Sequence, residues 1–106
     1  MSIPHRPPIK LVNLATGTHV VLIRAETALY VMATNAGGTV NVAFTYDDDV
    51  VVSGAPGSQT FPASVNQIDW TTGAVASGFE KIEGPVRAVE ITIATSADND
   101  VTLAYQ

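Results

Sequence analysis

The chain has 106 residues, 46% hydrophobic and only 14% charged, with ten acids against five bases and no cysteine. That length supports one domain around one core, burying on the order of 60–70% of the surface the unfolded chain exposes. The bases are scattered, so no cluster can neutralise successive phosphates, which argues against nucleic acid and anionic membrane surfaces as partners, and no stretch approaches the roughly 20 apolar residues of a membrane span.

Pro4, Pro7 and Pro8 predict an extended arm over residues 1–8, because proline fixes φ and restrains the residue before it. Residues 9–14 and 18–24 follow, both rich in β-branched side chains and divided by Ala15-Thr16-Gly17, which reads as a hairpin or as two strands with a short connection. Residues 28–34 form a third strand, closed by Asn35-Ala36-Gly37-Gly38. Over residues 39–46, Val40, Val42, Phe44 and Tyr46 alternate with Thr39, Asn41, Ala43 and Thr45, the period of a strand with one buried face. Asp47, Asp48 and Asp49 interrupt the pattern before a short strand at Val50-Val51-Val52, and residues 53–58 are a loop by composition. A strand is expected over residues 65–70 and another over 79–83, with Gly84-Pro85 as a break. Residues 84–106 read as a hairpin: Arg87, Val89, Ile91 and Ile93 alternate in one arm, Val101, Leu103 and Tyr105 in the other, around a polar turn at Ser96-Ala97-Asp98-Asn99.

No segment carries helical periodicity over three turns, and turn signals recur about every eight to twelve residues. The expected fold is all-β: a single antiparallel β-sandwich, jelly-roll-like, of about eight strands over residues 9–106, with an immunoglobulin-like sandwich also compatible. The low charge leaves Thr, Ser, Asn, Ala and Gly to cover much of the surface, a composition suited to sheet faces that meet neighbours. The N-terminus lacks the apolar run of a signal peptide, and the absence of cysteine fits folding in a reducing cytoplasm.

Chemistry has few parts to work with. His5 and His19 are the only histidines, and no serine sits in a G-x-S-x-G elbow, so a hydrolase is disfavoured and no catalytic residue or cofactor is assigned. Asp47, Asp48 and Asp49 are the sharpest metal candidates, since hard cations take carboxylate oxygens, but the run lacks D-x-D-x-D-G spacing and reads first as a solvated turn, so no metal site is assigned; Asp98-Asn99-Asp100 has the same two readings in the same order. Trp70, the only tryptophan, is a core residue, an interface anchor or, in a carbohydrate-binding module, a stacking platform. Arg87 shares by parity the face of Val89 and Ile91, which calls for a structural ion pair, with Glu80 or Glu83 the nearest acids upstream.

The segment Ile82-Glu83-Gly84-Pro85-Val86-Arg87-Ala88-Val89-Glu90-Ile91-Thr92-Ile93, followed by a polar turn and Val101-Thr102-Leu103-Ala104-Tyr105-Gln106, resembles the C-terminal hairpin of small structural proteins of tailed bacteriophages. There, Gly-Pro, an aromatic or aliphatic residue, Arg-Ala and an aliphatic residue lead a strand, and a short β arm of the V-T-L-x-x-Q kind ends it. Arg87 and Ala88 are the least generic positions of the match, which covers about a quarter of the chain. The resemblance implies a virion component, made in the host cytoplasm and placed on the capsid surface: a head decoration or cement protein that binds the major capsid protein as a homotrimer. A tail, fibre or adaptor piece is a close variant, and a carbohydrate- or surface-binding module is the alternative of a different class. Under this reading Pro4, His5, Arg6, Pro7, Pro8 and Ile9 of the arm, with Trp70, are the expected contact residues.

Overall fold

A computed structural model describes residues 7–106 as eight antiparallel strands in two packed four-stranded sheets, with no helix among them. In chain order these are β1 (Ile9–Val12), β2 (Gly17–Leu22), β3 (Ala28–Asn35), β4 (Thr39–Thr45), β5 (Ile68–Asp69), β6 (Ser77–Glu83), β7 (Ala88–Ala94) and β8 (Asn99–Tyr105). β1 pairs with β8, β2 with β7, β3 with β6 and β4 with β5, as though one long hairpin had been rolled up; rolling then brings β8 against β3 and β7 against β4. The first sheet therefore runs β1-β8-β3-β6 and the second β2-β7-β4-β5, the arrangement of a jelly roll.

Several local expectations fail in an instructive way. Residues 84–106 do form two strands, but β7 lies in the second sheet and β8 in the first, so they are stacked across the core rather than paired as a hairpin. β1 and β2 also lie in different sheets, so of the two readings of residues 9–24 the pair of strands with a short connection holds and the hairpin does not. Alternation reports that each strand has one buried face; it is silent on whether its sequence neighbour lies beside it or across the core. Val50, Val51 and Val52 are not a strand, and the strand expected over residues 65–70 shrinks to β5, whereas β6 starts earlier than expected, at Ser77.

The core is built from the inward faces of both sheets. Leu29, Val31, Val101 and Leu103 of the first meet Val40, Val42, Val89, Ile91 and Ile93 of the second, all essentially inaccessible to water. Full burial of each such aliphatic side chain contributes roughly 1.5–3 kcal/mol against the entropy of ordering the chain. Trp70, 2% exposed, closes the open side next to β4, and its indole Nε1 donates to Asn41 Oδ1 at 3.0 Å and to Gly73 O at 2.8 Å.

Residues 46–67, joining β4 to β5, wrap the outer face of the second sheet. Phe61, with Val50, Val52 and Val65, packs on Val20, Ala43 and Ala88, which makes a second small core outside the sandwich. This is why Ala43 and Thr45, on the face expected to meet solvent, are buried. Polar ties hold the loop down: Phe61 N donates to Glu90 Oε2 at 2.8 Å, and Asn66 N to Asp47 Oδ2 at 2.8 Å. The loop also occupies the free edge of β2, where Thr18 N donates to Gly57 O, and Gly57 N and Gln59 N donate to Thr18 O, each at 3.1 Å.

Candidate interaction surface

The acidic residues do not converge. Asp47 faces Asn66 in the loop, Asp48 pairs with Arg87, and among the described residues no three of His, Asp and Glu gather to hold a metal ion. Asp98 and Asp100 are both exposed, flanking the buried Asn99, whose Nδ2 donates to Leu14 O at 2.9 Å. His19 is buried opposite Ile91, and its Nε2 lies 2.7 Å from Ala15 O, so that nitrogen carries the proton and is committed to the backbone.

Arg87 has an ion pair, but with a different acid from those its position upstream indicated. Its Nε lies 2.8 Å from Asp48 Oδ1, the arginine side chain being 29% exposed and the aspartate 83%. The pair sits at one end of the sandwich, at the mouth of an open cleft of about 740 Å³ that Leu22, Ile23, Val50 and Tyr105 also line. An arginine at the head of a strand reaches past the end of the core, which is why its parity did not place it inside.

Of the expected contact residues, Pro4, His5 and Arg6 lie outside the described residues. Pro7 and Pro8 are exposed ahead of β1, and Ile9 starts that strand, half-buried against the core. Trp70 is buried within its own chain and offers no face to a partner or a sugar.

Among the described residues, the outer face of the first sheet is a broad surface without a partner, and exposed apolar side chains elsewhere (Leu22, Val51, Ile68) lie off this sheet. Register places Lys10, Thr102, Met32 and Phe79 in one row across β1, β8, β3 and β6; Ala104, Tyr30 and Lys81 lie in the row to one side, and Val12, Asp100, Thr34 and Ser77 in the row to the other. All alternate with core residues and so point outward. Met32 is 52% exposed, Phe79 59% and Val12 56%, large apolar groups that the chain covers nowhere else on this face. Lys81 Nζ stands 5.7 Å from the Tyr30 ring centre and 3.1 Å from Glu83 Oε1, so its charge is already engaged, and Glu83 beside it raises the lysine pKa.

Sequence reasoning missed this surface. In Ala28-Leu29-Tyr30-Val31-Met32-Ala33 both parities are apolar, which reads as a strand buried on both sides, and the signal available was the conflict itself. A strand with two apolar faces in a sandwich whose loops cover one sheet must expose one of them on the other.

The inward carboxylate of Glu80 ties β6 to the turn after β5. It accepts from Thr71 N at 3.2 Å, Thr71 Oγ1 at 2.8 Å, Thr72 N at 3.0 Å and Thr72 Oγ1 at 2.8 Å. Burial pushes its pKa up, but the bonds from Thr72 and Thr71 together outweigh that and hold it below the ordinary 4.5. The unfolded chain therefore binds this proton more readily, so the stabilisation is present above about pH 4.5 and is lost as pH falls through the folded-state value. Glu80→Gln is expected to flatten the fall of Tm with acidification in that range, measured as the difference from wild type; parallel curves would show that the four bonds carry no linkage.

Comparison with known proteins finds no matching protein family, no similar curated protein and no similar solved structure.

Proposed function

We propose that this chain is a bacteriophage virion structural protein of the capsid-decoration type, which works by holding on to protein surfaces and not by turning over a substrate. The observation that carries this reading is the outer face of the first sheet: four strands wide, its two lysines balanced by Asp100 and Glu83, with Met32, Phe79 and Val12 exposed, while the opposite face of the sandwich is covered by the chain's own loop. Exposed aromatic residues and methionine are enriched at interface centres, and the charges around them here sum to zero. The resemblance of residues 82–106 to phage structural proteins supplies the kind of partner, the major capsid protein. A jelly roll by itself names no function, since capsid proteins and lectins share it. The burial of Trp70 weighs against a glycan platform.

The test is attachment to heads that lack this subunit. Thr102→Lys places a third ammonium group between Lys10 and Met32 on the contact face without touching the core, and it is expected to reduce co-sedimentation at least tenfold, about 1.4 kcal/mol, with Tm unchanged. Attachment equal to wild type would remove this face from the account. Wild-type protein that ignores heads but binds glycans would replace the proposal with the carbohydrate-binding alternative.

A further inference from the structure

Sheets end in edges, and an edge strand with free N–H and C=O groups is a template for another strand. Of the four edges here, three are blunted. β1 is short and follows Pro7 and Pro8; Asn13 N donates to Asn99 O, so by ladder phase only Lys10 and Val12 turn their backbone outward. β2 is occupied by Gly57 and Gln59 of the loop, and β5 has only two residues.

β6 is different. Asn35 N donates to Ala76 O, and because antiparallel bonding alternates, Gly78, Glu80 and Ile82 bond β3 while Ser77, Phe79, Lys81 and Glu83 direct N–H and C=O away from the sheet. Of these outward groups only Glu83 O has a partner among the described residues, the Tyr46 hydroxyl at 2.6 Å. The charges that would ordinarily deter pairing are spoken for within the chain, Glu80 by Thr71 and Thr72, and Lys81 by Glu83.

We propose that two copies of this chain pair antiparallel through β6, about a two-fold axis at Phe79, joining their first sheets into one of eight strands. The register follows from elimination. Centring on Glu80 sets two carboxylates against each other in the narrow, non-hydrogen-bonded kind of pair. Centring on Lys81 opposes two ammonium groups and needs Glu83 O, which is taken. Centring on Gly78 requires Val75, whose N and O are bonded to Val40. Centring on Phe79 sets Ser77 opposite Lys81, Glu80 opposite Gly78, which brings no second charge, and the exposed phenyl ring against its own counterpart. Every outward N–H and C=O of Ser77, Phe79 and Lys81 is then satisfied, and opposed aromatic residues are favourable cross-strand pairs. This self-contact yields dimers, not the trimers the phage resemblance implies, and it stands whether or not the outer face binds a capsid.

Light scattering on the full chain is the first readout: a mass twice 11.1 kDa is expected. Ser77→Pro removes an outward N–H at the first residue of the strand, where proline leaves the β3 ladder intact, and Phe79→Lys opposes two charges across the axis; both are expected to give monomers with wild-type circular dichroism. Thr102→Lys, which the attachment test uses, is expected to remain dimeric, so failure of one proposal is separable from failure of the other. In the wild-type dimer the amides of Phe79 and Lys81 are expected to exchange as slowly as that of Glu80. A wild-type monomer or trimer, a dimer that persists in folded Phe79→Lys, or fast exchange at Phe79 and Lys81 would overturn the pairing.

Discussion

Trp70→Ala is expected to lower the unfolding free energy by about 3–5 kcal/mol, the largest loss of any single truncation in this chain. Three losses add at one place. The indole is 2% exposed, so its area is forfeited and a cavity opens where the short β5 leaves β4 poorly covered. The donor that satisfies Asn41 Oδ1 and Gly73 O also disappears, and the turn at Thr71-Thr72, which Glu80 grips, loses the side chain it rests on. At the size of this domain the change lowers Tm by more than about 12 °C. Circular dichroism is the appropriate probe, because the variant has no tryptophan. Trp70→Phe should fall between, recovering ring area without the N–H. A loss under about 1 kcal/mol for Trp70→Ala would mean that the open side of the sandwich is closed by something else.

Gly17→Ala is expected to cost about 3 kcal/mol or more, by a route that has little to do with the core. Gly17 has φ +110, a conformation that L side chains rarely adopt, and an added Cβ would run into the carbonyl oxygen of Gly57. Gly57 is the residue by which the long loop grips Thr18 on the edge of β2. Relief of the clash requires the loop to lift, and with it the cover that Phe61 provides over Val20 and Ala88. Two readouts should move together: Tm falls, and limited proteolysis within residues 53–58 becomes fast under conditions where the strands stay folded. Lost stability with a still-protected loop would separate the glycine's strain from the docking of the loop.

What could be read in advance, and what could not, follows from the range of the forces involved. Strand existence is local. Val40, Val42 and Phe44, or Val89, Ile91 and Ile93, show their buried face through spacing alone, and the sandwich class follows from many such segments and no helical ones. Pairing is not local. That Ile9 lies beside Leu103 and Leu22 beside Ala88 depends on how the rolled chain closes, and the alternation around Thr95-Ser96 is the same for a hairpin as for a corner between sheets. Val50, Val51 and Val52 have strong β propensity yet lie in the loop, because Pro62, Gly54 and Gly57 deny the segment a continuous ladder; Val50 and Val52 cover apolar area on the outer face of the second sheet while Val51 stays exposed.

The candidate surface was hidden for the opposite reason. Trp70 attracted the expectation of contact because aromatic residues favour interfaces, but the same large apolar area favours cores, and only the short β5 explains why the core claimed it. Met32 and Phe79 stand directly opposite each other across β3 and β6, a pairing that long-range register alone reveals. Arg87 shows the same limit at one residue: the acid beside it, Asp48, is distant in sequence and arrives through the fold of the loop, where the nearest acids upstream were Glu80 and Glu83.

Hydroxyl-radical footprinting of the subunit, free and bound to heads, tests most directly the claim that the outer face of the first sheet is the attachment surface. Met32 and Tyr30 on that face and Tyr46, which follows β4 in the second sheet and reaches the first only at the Glu83 end of β6, are all reactive side chains, and Met32 and Tyr46 are well exposed in the free chain. The expected result is strong protection of Met32 and Tyr30 on attachment, with Tyr46 unchanged. Met32 labelled equally in both states, with protection at Tyr46 instead, would contradict the account.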